Sequence, residues 1–397
     1  MSGWPRSLQL SGAPAGSGSD IAARRLRAAL QCSGAQVDWL SSAEASPWMW
    51  CRSAALSRLV GRAVDRLDRR RIGIHLSITP GLRSGALRRW PADVIHLHWL
   101  GTGFVSLFSL GRLGKPLVWT LHDLWPLLGV LPYPALGDAA PMGLGFDCDP
   151  LAVALKQRLI PPGIQFIAPS PWAAQQAERS PVFQALRHPR PMAVIPNAVD
   201  PMFFQAPQEP SPARDPERPL LLFGGSNAFS DPRKGWQLLA PLLPWLASEY
   251  PHWQCASFGE LPPEGLRWPQ PWHHHGLIRD PQQLAALYRQ ADLLVVPSQQ
   301  ETFGQVAAEA QACGLPVVAL AESGVGSVVQ HQRSGYLLPQ FTPEALQQAL
   351  RVLLDDPHRR LVLSRRASQQ AAERFQPKQV AAQHLHLYQR LVAGGGF

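Results

Sequence analysis

Short apolar runs recur along the chain, and each is bounded by proline, glycine or polar residues. In the first half they span 94–100, 116–122, 164–170 and 193–200, and in the second half 220–225, 253–259, 292–298 and 316–320. Runs of this length are typical of strands that are buried on both faces of a parallel sheet. A weaker strand, 7–10, is predicted near the start of the chain.

Apolar residues at helical spacing separate these runs. The pattern predicts helices over 16–31, 235–249, 281–290, 303–312, 343–355 and 377–392. Asp20 is the predicted N-cap of the first helix. Because strands and helices alternate, we expect an α/β fold in which helices cover both faces of a parallel sheet.

A proline-rich stretch over 201–219 interrupts this pattern, which then starts again. We therefore predict two Rossmann-like domains, 1–199 and 200–376, with a last helix in 377–397 that packs back on the first domain. The domains are expected to face each other across a cleft. Ligands of such folds bind at the carboxyl ends of the strands, so the cleft is the predicted site.

The chain of 397 residues carries a net charge of +9, which suits an acidic partner. A nucleotide sugar, an anionic membrane surface and a nucleic acid would each fit. The sequence has no paired Cys/His fingers and no aromatic ribonucleoprotein motif, so a nucleic acid is not expected. The five cysteines are widely spaced, without a C-x-x-C pair. With no apolar leader and no long apolar segment, the predicted location is the cytoplasm.

The sequence leaves two alternatives open for the basic segment 52–71 and for the two histidines of the run 94–100. An arginine-rich helical pattern over 52–71 follows Trp48-Met49-Trp50 and fits a membrane-surface helix as well as a solvated basic one. The protein is therefore expected in the cytoplasm, with peripheral attachment to the inner face of the membrane as an option. His96 and His98 are expected on opposite sides of their strand, where lining the cleft and structural burial are both open.

Neither of two metal-like patterns predicts a metal site. The triplet Asp147-Cys148-Asp149 lies in a predicted irregular loop with no strand before it. The triplet His273-His274-His275 lacks regular ligand spacing and is predicted to be an exposed strand edge.

The strongest chemical pattern lies at 297–318. A strand ends at Ser298, Glu301 follows in a short loop, and a helix begins near Phe303. The backbone N–H groups of Thr302, Phe303 and Gly304 would then lie at the helix N-terminus, which favours a phosphate. Glu309 falls about two turns into that helix. Two carboxylates in these positions can accept hydrogen bonds from sugar hydroxyls, one from a hexose and the other from a ribose.

This segment resembles the E-x7-E region of the retaining family-4 glycosyltransferases, which have the GT-B fold. The resemblance extends to the loop 226–239 and to the glycine-rich stretch 322–338. In the first half, 96–100, 119–126 and 195–200 are similar to the enzymes that build exopolysaccharide and O-antigen repeat units. The resemblance implies transfer of a hexose from a nucleoside-diphosphate sugar to a glycan or lipid-linked acceptor, with retention of anomeric configuration.

The resemblance also implies roles for single residues. Glu301 would contact the donor hexose, Glu309 the ribose, and Lys234 with Arg233 the diphosphate. Ser226 lies nearer than Arg233 to the position where the family carries an arginine. His122, at the end of a strand, would lie beside the transferred sugar. The family's N-terminal glycine loop would be Gly16 with Gly18.

No metal and no separate cofactor are expected, because fixed cations and backbone donors can stabilise the leaving diphosphate. Two alternatives remain at this point. One is another GT-B enzyme that binds a similar donor, such as a nucleotide-sugar epimerase or a phosphorylase. The other is a non-catalytic relative that binds a sugar nucleotide or a glycan.

Overall fold

A computed structural model describes residues 3–44, 59, 77–79, 81–101, 103–134, 148–187, 189–205, 217–266 and 272–394. The chain divides into two compact units. The first unit comprises Met1–Ala198 and Pro377–Phe397, and the second comprises Val199–Gln376. The arginine-rich pattern predicted over 52–71 lies outside the described residues except for Leu59, as do Trp48-Met49-Trp50 and Asp147.

The first unit contains a parallel sheet of six strands within the described ranges, in the order β2-β1-β3-β4-β5-β6. The strands are β1 Ser7–Ser11, β2 Val37–Ser41, β3 Val94–Leu97, β4 Leu117–Thr120, β5 Gln165–Ala168 and β6 Ala193–Val194. The helices are α1 Gly18–Cys32, α2 Ser84–Arg89, α3 Leu107–Leu110, α4 Asp149–Leu159, α5 Pro171–Glu178 and α6 Pro181–Ala185.

The second unit contains another parallel sheet, with the strand order β9-β8-β7-β10-β11-β12 in the described residues. Its strands are β7 Leu220–Gly225, β8 Gln254–Gly259, β9 Trp272–His274, β10 Leu293–Val296, β11 Val317–Leu320 and β12 Gly335–Leu338. Its helices are α7 Trp236–Leu239, α8 Leu243–Glu249, α9 Pro281–Gln290, α10 Gln305–Ala312, α11 Gly324–Val328, α12 Pro343–Leu354 and α13 Pro357–Phe375. The last helix of the chain, α14 Pro377–Ala393, belongs to the first unit.

Counted from its own first strand, the second sheet has the order 3-2-1-4-5-6 of the dinucleotide-binding fold. The direction of winding reverses between β7 and β10. The strands β7 and β10 are neighbours in the sheet, and a loop follows each of them at this point. Such a switch point is the usual ligand site of an open parallel sheet.

Both faces of each sheet are buried. In the first unit, Trp119 lies in a cluster on one face, while Val94 and Val118 pack with Leu30 of α1 and Leu385 of α14 on the other. This two-sided burial explains why the strands are continuous apolar runs. No helix in the described part of the chain is long and apolar enough to cross a membrane.

Three local predictions differ from the structure. The N-cap of α1 is Ser17, whose Oγ accepts from the backbone N–H of Asp20, so Asp20 itself lies in the first turn. The helix predicted over 235–249 is divided into α7, a 3₁₀ turn over Ala240–Leu242 and α8. Pro241 and Pro244 have no N–H to continue the regular hydrogen-bond pattern. The strand β2 and the long helix α13 were not predicted.

The two metal-like triplets have structural explanations. Cys148 caps α4, and the carboxylate of Asp149 accepts from the backbone N–H of Val130 at 2.7 Å. His273 and His274 lie in β9, the edge strand of the second sheet, and His275 follows it. Among the described residues, no group of three or more His, Cys, Asp or Glu side chains is placed to hold a metal ion.

Candidate functional site

The switch point of the second sheet brings together two predicted site residues from distant parts of the sequence. Lys234 ends the 3₁₀ turn Pro232–Lys234 that follows β7, and Glu301 lies in the loop after β10. The Nζ of Lys234 donates to Oε2 of Glu301 at 2.8 Å. A cation and a carboxylate with both side chains partly exposed therefore lie side by side at the expected ligand position.

The two loops are held together by backbone contacts. The N–H of Gln299 donates to the carbonyl of Arg233 at 2.7 Å. Gly235 has a φ of +83°, and a Cβ at this position would lie 2.6 Å from the carbonyl oxygen of Pro297. Only glycine combines this φ with such a close approach. The Lys-Gly dipeptide thus sets the distance between Lys234 and the loop of Glu301.

Arg233 is engaged by a neighbour in its own loop. Its guanidinium donates to both carboxylate oxygens of Asp231, with the shortest contact at 2.6 Å. Burial raises the pKa of Asp231, but the hydrogen bonds from Arg233 outweigh it, so that the pKa is lowered overall. Ser226, one residue after β7, is exposed.

Helix α10 begins at Gln305, two residues after the predicted start near Phe303. Gly304 is the N-cap, with a φ of +95°, and a Cβ there would lie 2.8 Å from a methyl group of Val325. Thr302 and Phe303 are buried, and the ring of Phe303 packs against Phe375 with centroids 5.5 Å apart. The side chain of Phe303 therefore belongs to the core, which leaves its backbone as the part available to a ligand.

The helix N-terminus and the loop of Glu301 form one structure. The N–H of Gly324, at the start of α11, donates to the carbonyl of Glu301 at 2.9 Å. Glu309 lies in the second turn of α10 and is buried. The unpaired donors of a helix N-terminus and its dipole favour an anion beside Gly304. The arrangement can hold a diphosphate in the loops that carry Lys234 and Glu301.

Two acidic residues that support this site were not predicted. The carboxylate of Glu260 accepts from the backbone N–H groups of Phe229 and Ser230, at 2.8 and 3.0 Å, and so fixes the loop after β7. Asp231 holds Arg233 in the same loop. Their acidic character is visible in the sequence, but their partners are set by the folded loop.

In the first unit, His122 lies just after β4 and is partly exposed. Its Nε2 lies 2.9 Å from Nδ1 of His98, and the two rings stack with centroids 5.2 Å apart. Burial lowers the pKa of His122 to about 4, so the imidazole is neutral at neutral pH. The next residue, Asp123, accepts from the indole N–H of Trp99 at 2.8 Å.

The prediction that His96 and His98 lie on opposite sides of the sheet is wrong. Residues two apart on a strand share a face. Both side chains are fully buried, and their rings stack with centroids 4.4 Å apart. They belong to a polar cluster that also contains Gln9 and Tyr388, two residues that sequence reasoning missed.

The predicted N-terminal glycine loop follows a real strand. All five residues of β1 are buried, and β1 pairs with both β2 and β3. Gly16 has a φ of +75°, and its N–H donates to the carboxylate of Asp20 at 3.0 Å. Gly18 is the first residue of α1, and a Cβ there would meet nothing within 4 Å. The space beside Gly18 permits close approach of a ligand.

Solved structures of similar fold cover nearly the whole chain. Sucrose-phosphate synthase from Thermosynechococcus elongatus superposes with a TM-score of 0.69 at 21% identity, over 98% of this chain and 100% of that one. HepE from Anabaena, solved with UDP-glucose, gives 0.63 at 18% identity, again over 98% and 100%. These likenesses show the class of fold: the chain has the GT-B fold, with two Rossmann-type units.

Sequence comparison identifies the family. A model described as "Glycosyltransferase Family 4" matches residues 16–203, and one described as "Glycosyl transferases group 1" matches 272–372. The chain is 32% identical to the D-inositol 3-phosphate glycosyltransferase of Segniliparus rotundus, over 77% of this chain and 68% of the relative. It is 30% identical to D-inositol 3-phosphate glycosyltransferase 2 of Catenulispora acidiphila, over 76% of this chain and 71% of the relative. The chain belongs to the family-4 glycosyltransferases.

Proposed function

We propose that this glycosyltransferase moves a hexose from a nucleoside-diphosphate sugar to a hydroxyl of a glycan or lipid-linked acceptor, with retention of anomeric configuration. Its biological role would be the synthesis of cell-surface polysaccharide. The observation that carries the proposal is the contact of Lys234 with Glu301 at the switch point of the second sheet. This contact brings a cation and a carboxylate together three residues before the N-cap of α10, which supports a site for a diphosphate and a sugar.

In the proposed complex, Lys234 binds the diphosphate of the donor. The backbone donors of Gly304, which is the N-cap of α10, and of Thr302 and Phe303 directly before it contribute to the same anion. Glu301 accepts hydrogen bonds from the hexose. Glu309, in the second turn of the helix, accepts them from the ribose. Arg233 and Ser226, in the loop after β7, flank the phosphates and contribute to donor binding. Gly18 of the first unit also contributes to donor binding.

The chemistry needs charge stabilisation more than a nucleophile. As the bond from the sugar to the diphosphate breaks, negative charge develops on the leaving oxygen, and Lys234 with the helix N-terminus stabilises it. No metal ion is part of the proposed mechanism. The incoming hydroxyl attacks from the face that the diphosphate leaves and gives its proton to the leaving diphosphate oxygen, which gives retention. His122 lies beside the transferred sugar and orients it.

The donor and acceptor are chosen for testing from the chemistry of the relatives. HepE has been solved with UDP-glucose, and the curated relatives are named for D-inositol 3-phosphate. UDP-glucose, UDP-N-acetylglucosamine, GDP-mannose and ADP-glucose therefore form the donor panel. D-inositol 3-phosphate, an oligosaccharide and a polyprenyl-diphosphate sugar form the acceptor panel.

Thermal stabilisation by each donor is the first test. A donor at about 100 times its dissociation constant adds about 2.7 kcal/mol of apparent stability. We expect one donor to raise the melting temperature of the wild type, and the Lys234→Ala and Glu309→Ala variants to lose that shift. Lys378→Ala removes an exposed lysine from α14 and is the matched control, which should keep the shift.

Product analysis separates the remaining alternatives. Transfer with a new glycosidic bond of the donor's anomeric configuration, observed by NMR and unchanged by EDTA, supports the proposal. Release of an epimerised sugar without an acceptor would identify a nucleotide-sugar epimerase. Donor binding without turnover for any acceptor would identify a non-catalytic relative, and a product of inverted configuration would contradict the proposed mechanism.

The proposed location is the cytoplasm, and peripheral attachment to the inner face of the membrane through the basic segment 52–71 is a part of the proposal that is tested separately. The support is its composition of arginines beside Trp48-Met49-Trp50. Sedimentation with anionic vesicles should recover the protein at low salt, and neutral vesicles should not. Equal recovery with both kinds of vesicle, or with neither, would contradict this part of the proposal.

A further inference from the structure

A chain of polar side chains crosses the face of the first sheet that α1 and α14 cover. It runs from Tyr388 of α14 through Gln9 of β1 to His98, which follows β3, and then to His122. The contacts are Tyr388 Oη to Gln9 Nε2 at 3.3 Å, Gln9 Oε1 to His98 Nε2 at 2.7 Å, and His98 Nδ1 to His122 Nε2 at 2.9 Å. A branch joins Tyr388 Oη to Nδ1 of His96 at 2.6 Å.

The surroundings of this chain are apolar. Val118, Ile167, Leu30 and Leu385 pack around it on the same face of the sheet. Tyr388, Gln9 and His98 are fully buried. Burial of a polar group costs about 1–3 kcal/mol unless a hydrogen bond compensates it, so each of these side chains depends on its partner in the chain. The one partly exposed member is His122, at the end of the chain of contacts.

The contacts fix which atom carries each proton. The Nε2 of Gln9 faces two oxygens, Ser7 Oγ at 3.2 Å and Tyr388 Oη, so its Oε1 faces His98. An amide oxygen only accepts, and therefore His98 Nε2 donates to Gln9. Burial lowers the pKa of His98 well below its ordinary value, so His98 is neutral and its Nδ1 has no proton. His122 Nε2 must then be the donor to His98.

In the branch to His96, each group again donates its hydrogen bond to the next group along the chain. Tyr388 accepts from Gln9, so its single hydroxyl proton is directed to Nδ1 of His96. The Nε2 of His96 then donates to Oγ1 of Thr120 at 2.7 Å. His384 of α14 stacks on His96 with centroids 5.8 Å apart. Both directions agree with a neutral cluster, because charge on one imidazole would repel charge on its stacked neighbours.

We infer that Gln9, His98 and Tyr388 are positioning residues that hold His122 as the neutral, Nε2-protonated tautomer, with Nδ1 as its unprotonated nitrogen. His122 would then accept, through Nδ1, a hydrogen bond from a hydroxyl of the transferred sugar and would not donate one. This role rests on the proposed function, in which His122 lies beside that sugar. The tautomer itself is a property of the fold and is measurable without turnover.

The first experiment reads the tautomer directly. Protein labelled with ¹⁵N-histidine gives NMR signals that distinguish protonated from unprotonated ring nitrogens, and the His122 signals are those that vanish in His122→Ala. We expect Nε2-protonated His122 in the wild type and in His98→Asn, whose side-chain oxygen replaces the accepting Nδ1. His98→Leu, which has no acceptor, should give a mixture of both tautomers.

Two further variants complete this experiment. Tyr388→Phe keeps the ring in the core and removes the hydroxyl. The side-chain amide of Gln9 can then rotate and exchange its oxygen and nitrogen positions, so His122 should again give a mixture of both tautomers. Val118→Ala removes an apolar side chain from the same face and should leave the tautomer unchanged. An Nδ1-protonated His122 in the wild type, or an unchanged tautomer in His98→Leu, would overturn the inference. If the tautomer of His122 is unchanged only in Tyr388→Phe, the inference that Tyr388 is a positioning residue is wrong.

The second experiment asks whether His98 acts through His122. His98→Leu should lower kcat about ten- to hundredfold, as for other outer partners that orient a functional imidazole, with little change in the donor KM. In a His122→Ala background the same substitution should lower kcat no further. Additive losses would show a structural role and overturn the inference. A wild type without transfer activity would instead contradict the proposed function, while the NMR result would still decide the positioning role.

Discussion

At the scale of single residues, the Lys234–Glu301 contact is placed for binding more than for stability. The two side chains are 29% and 23% exposed, and ion pairs in contact with solvent contribute about 0–1 kcal/mol. Their position is set by the backbone through Gly235 and Gln299, whatever the side chains contribute. Loss of the pair should therefore affect ligand binding and turnover far more than folding.

Replacement of Lys234 by alanine tests this separation. We expect the melting temperature without ligand to change little and transfer activity to fall by about 100-fold or more, as for the loss of one group that stabilises a developing charge. Steady-state kinetics and differential scanning fluorimetry measure the two effects. Arg351→Ala removes another exposed ion pair of the same unit, with Glu249, and should affect neither. Comparable activity losses in both variants would contradict the role of Lys234.

A matched pair of glycines tests backbone strain at the site. Gly304→Ala places a Cβ at a φ of +95° and against Val325, which should cost about 1–3 kcal/mol of unfolding free energy. Gly18→Ala introduces neither problem and should leave that free energy nearly unchanged. Urea unfolding measures both. Should Gly18→Ala keep its stability and lose donor affinity, the predicted close approach of the donor would gain direct support.

The sequence reveals some of these residues and hides others for a physical reason. Lys234 stands out because it directly precedes a glycine, and Glu301 stands out because it lies between a strand and a helix, so both patterns are local. Gln9 and Tyr388 touch across a separation of 379 residues, and no local pattern records that contact. The ring of Tyr388 fits the apolar side of the last helix, and it does lie in the core. Its hydroxyl acquires a role only once the last helix is packed on the sheet.

At the scale of elements, the strands predicted best are those with apolar side chains on both faces. β1 was a weak prediction because Ser7, Gln9 and Ser11 alternate with its leucines, and their burial depends on partners elsewhere in the fold. β2 was missed because it lies at the edge of its sheet and is only half-buried. α13 was missed because its many arginines and glutamines obscure a narrow apolar stripe.

Helix α4 holds the loop that follows His122 through one buried lysine. Lys156 Nζ donates to the carbonyls of Trp125, Leu128 and Gly129, and it lies 4.1 Å from the ring centroid of Trp125. Lys156→Met keeps the aliphatic stem and leaves those carbonyls without their donor. We expect a loss of about 2–4 kcal/mol in unfolding free energy.

The control for this prediction is another lysine bonded to a carbonyl. Lys115 Nζ donates to the carbonyl of Ala92 at 2.6 Å, but Lys115 is only partly buried. Lys115→Met should therefore cost about 1 kcal/mol or less. Chemical denaturation of both variants makes the comparison, and equal losses would show that the burial of Lys156 is not the cause.

At the scale of the whole molecule, buried histidines link the first unit to pH. Burial lowers the pKa of His122 and His384 to about 4 and those of His96 and His98 well below the ordinary value. The unfolded chain binds these protons near pH 6.5 and the folded unit does not. The unfolding free energy of the first unit is therefore not reduced by these histidines above about pH 6.5, and it falls as the pH drops toward 4.

Hydrogen exchange of the β3 and β4 amides at several pH values measures this loss in the first unit. For His384 alone, a shift from 6.5 to about 4 corresponds to about 3 kcal/mol. His384→Gln should make the pH dependence shallower. His386→Gln removes an exposed imidazole two residues along the same helix, and an equal effect from both variants would contradict the assignment to buried groups.

The second unit is an insertion within the first, because the chain leaves the first unit after Ala198 and returns to it at Pro377. The N–H of Val199 bonds to the carbonyl of Phe375 at 2.9 Å, so both ends of the insertion are tied together. During synthesis on a ribosome, the second unit is complete before the first. Translation at about 5–20 residues per second leaves the first sheet without its covering α14 for roughly 10–40 seconds. Over that interval the nascent chain exposes the apolar face around Val118 and Ile167, which is the kind of surface that chaperones bind.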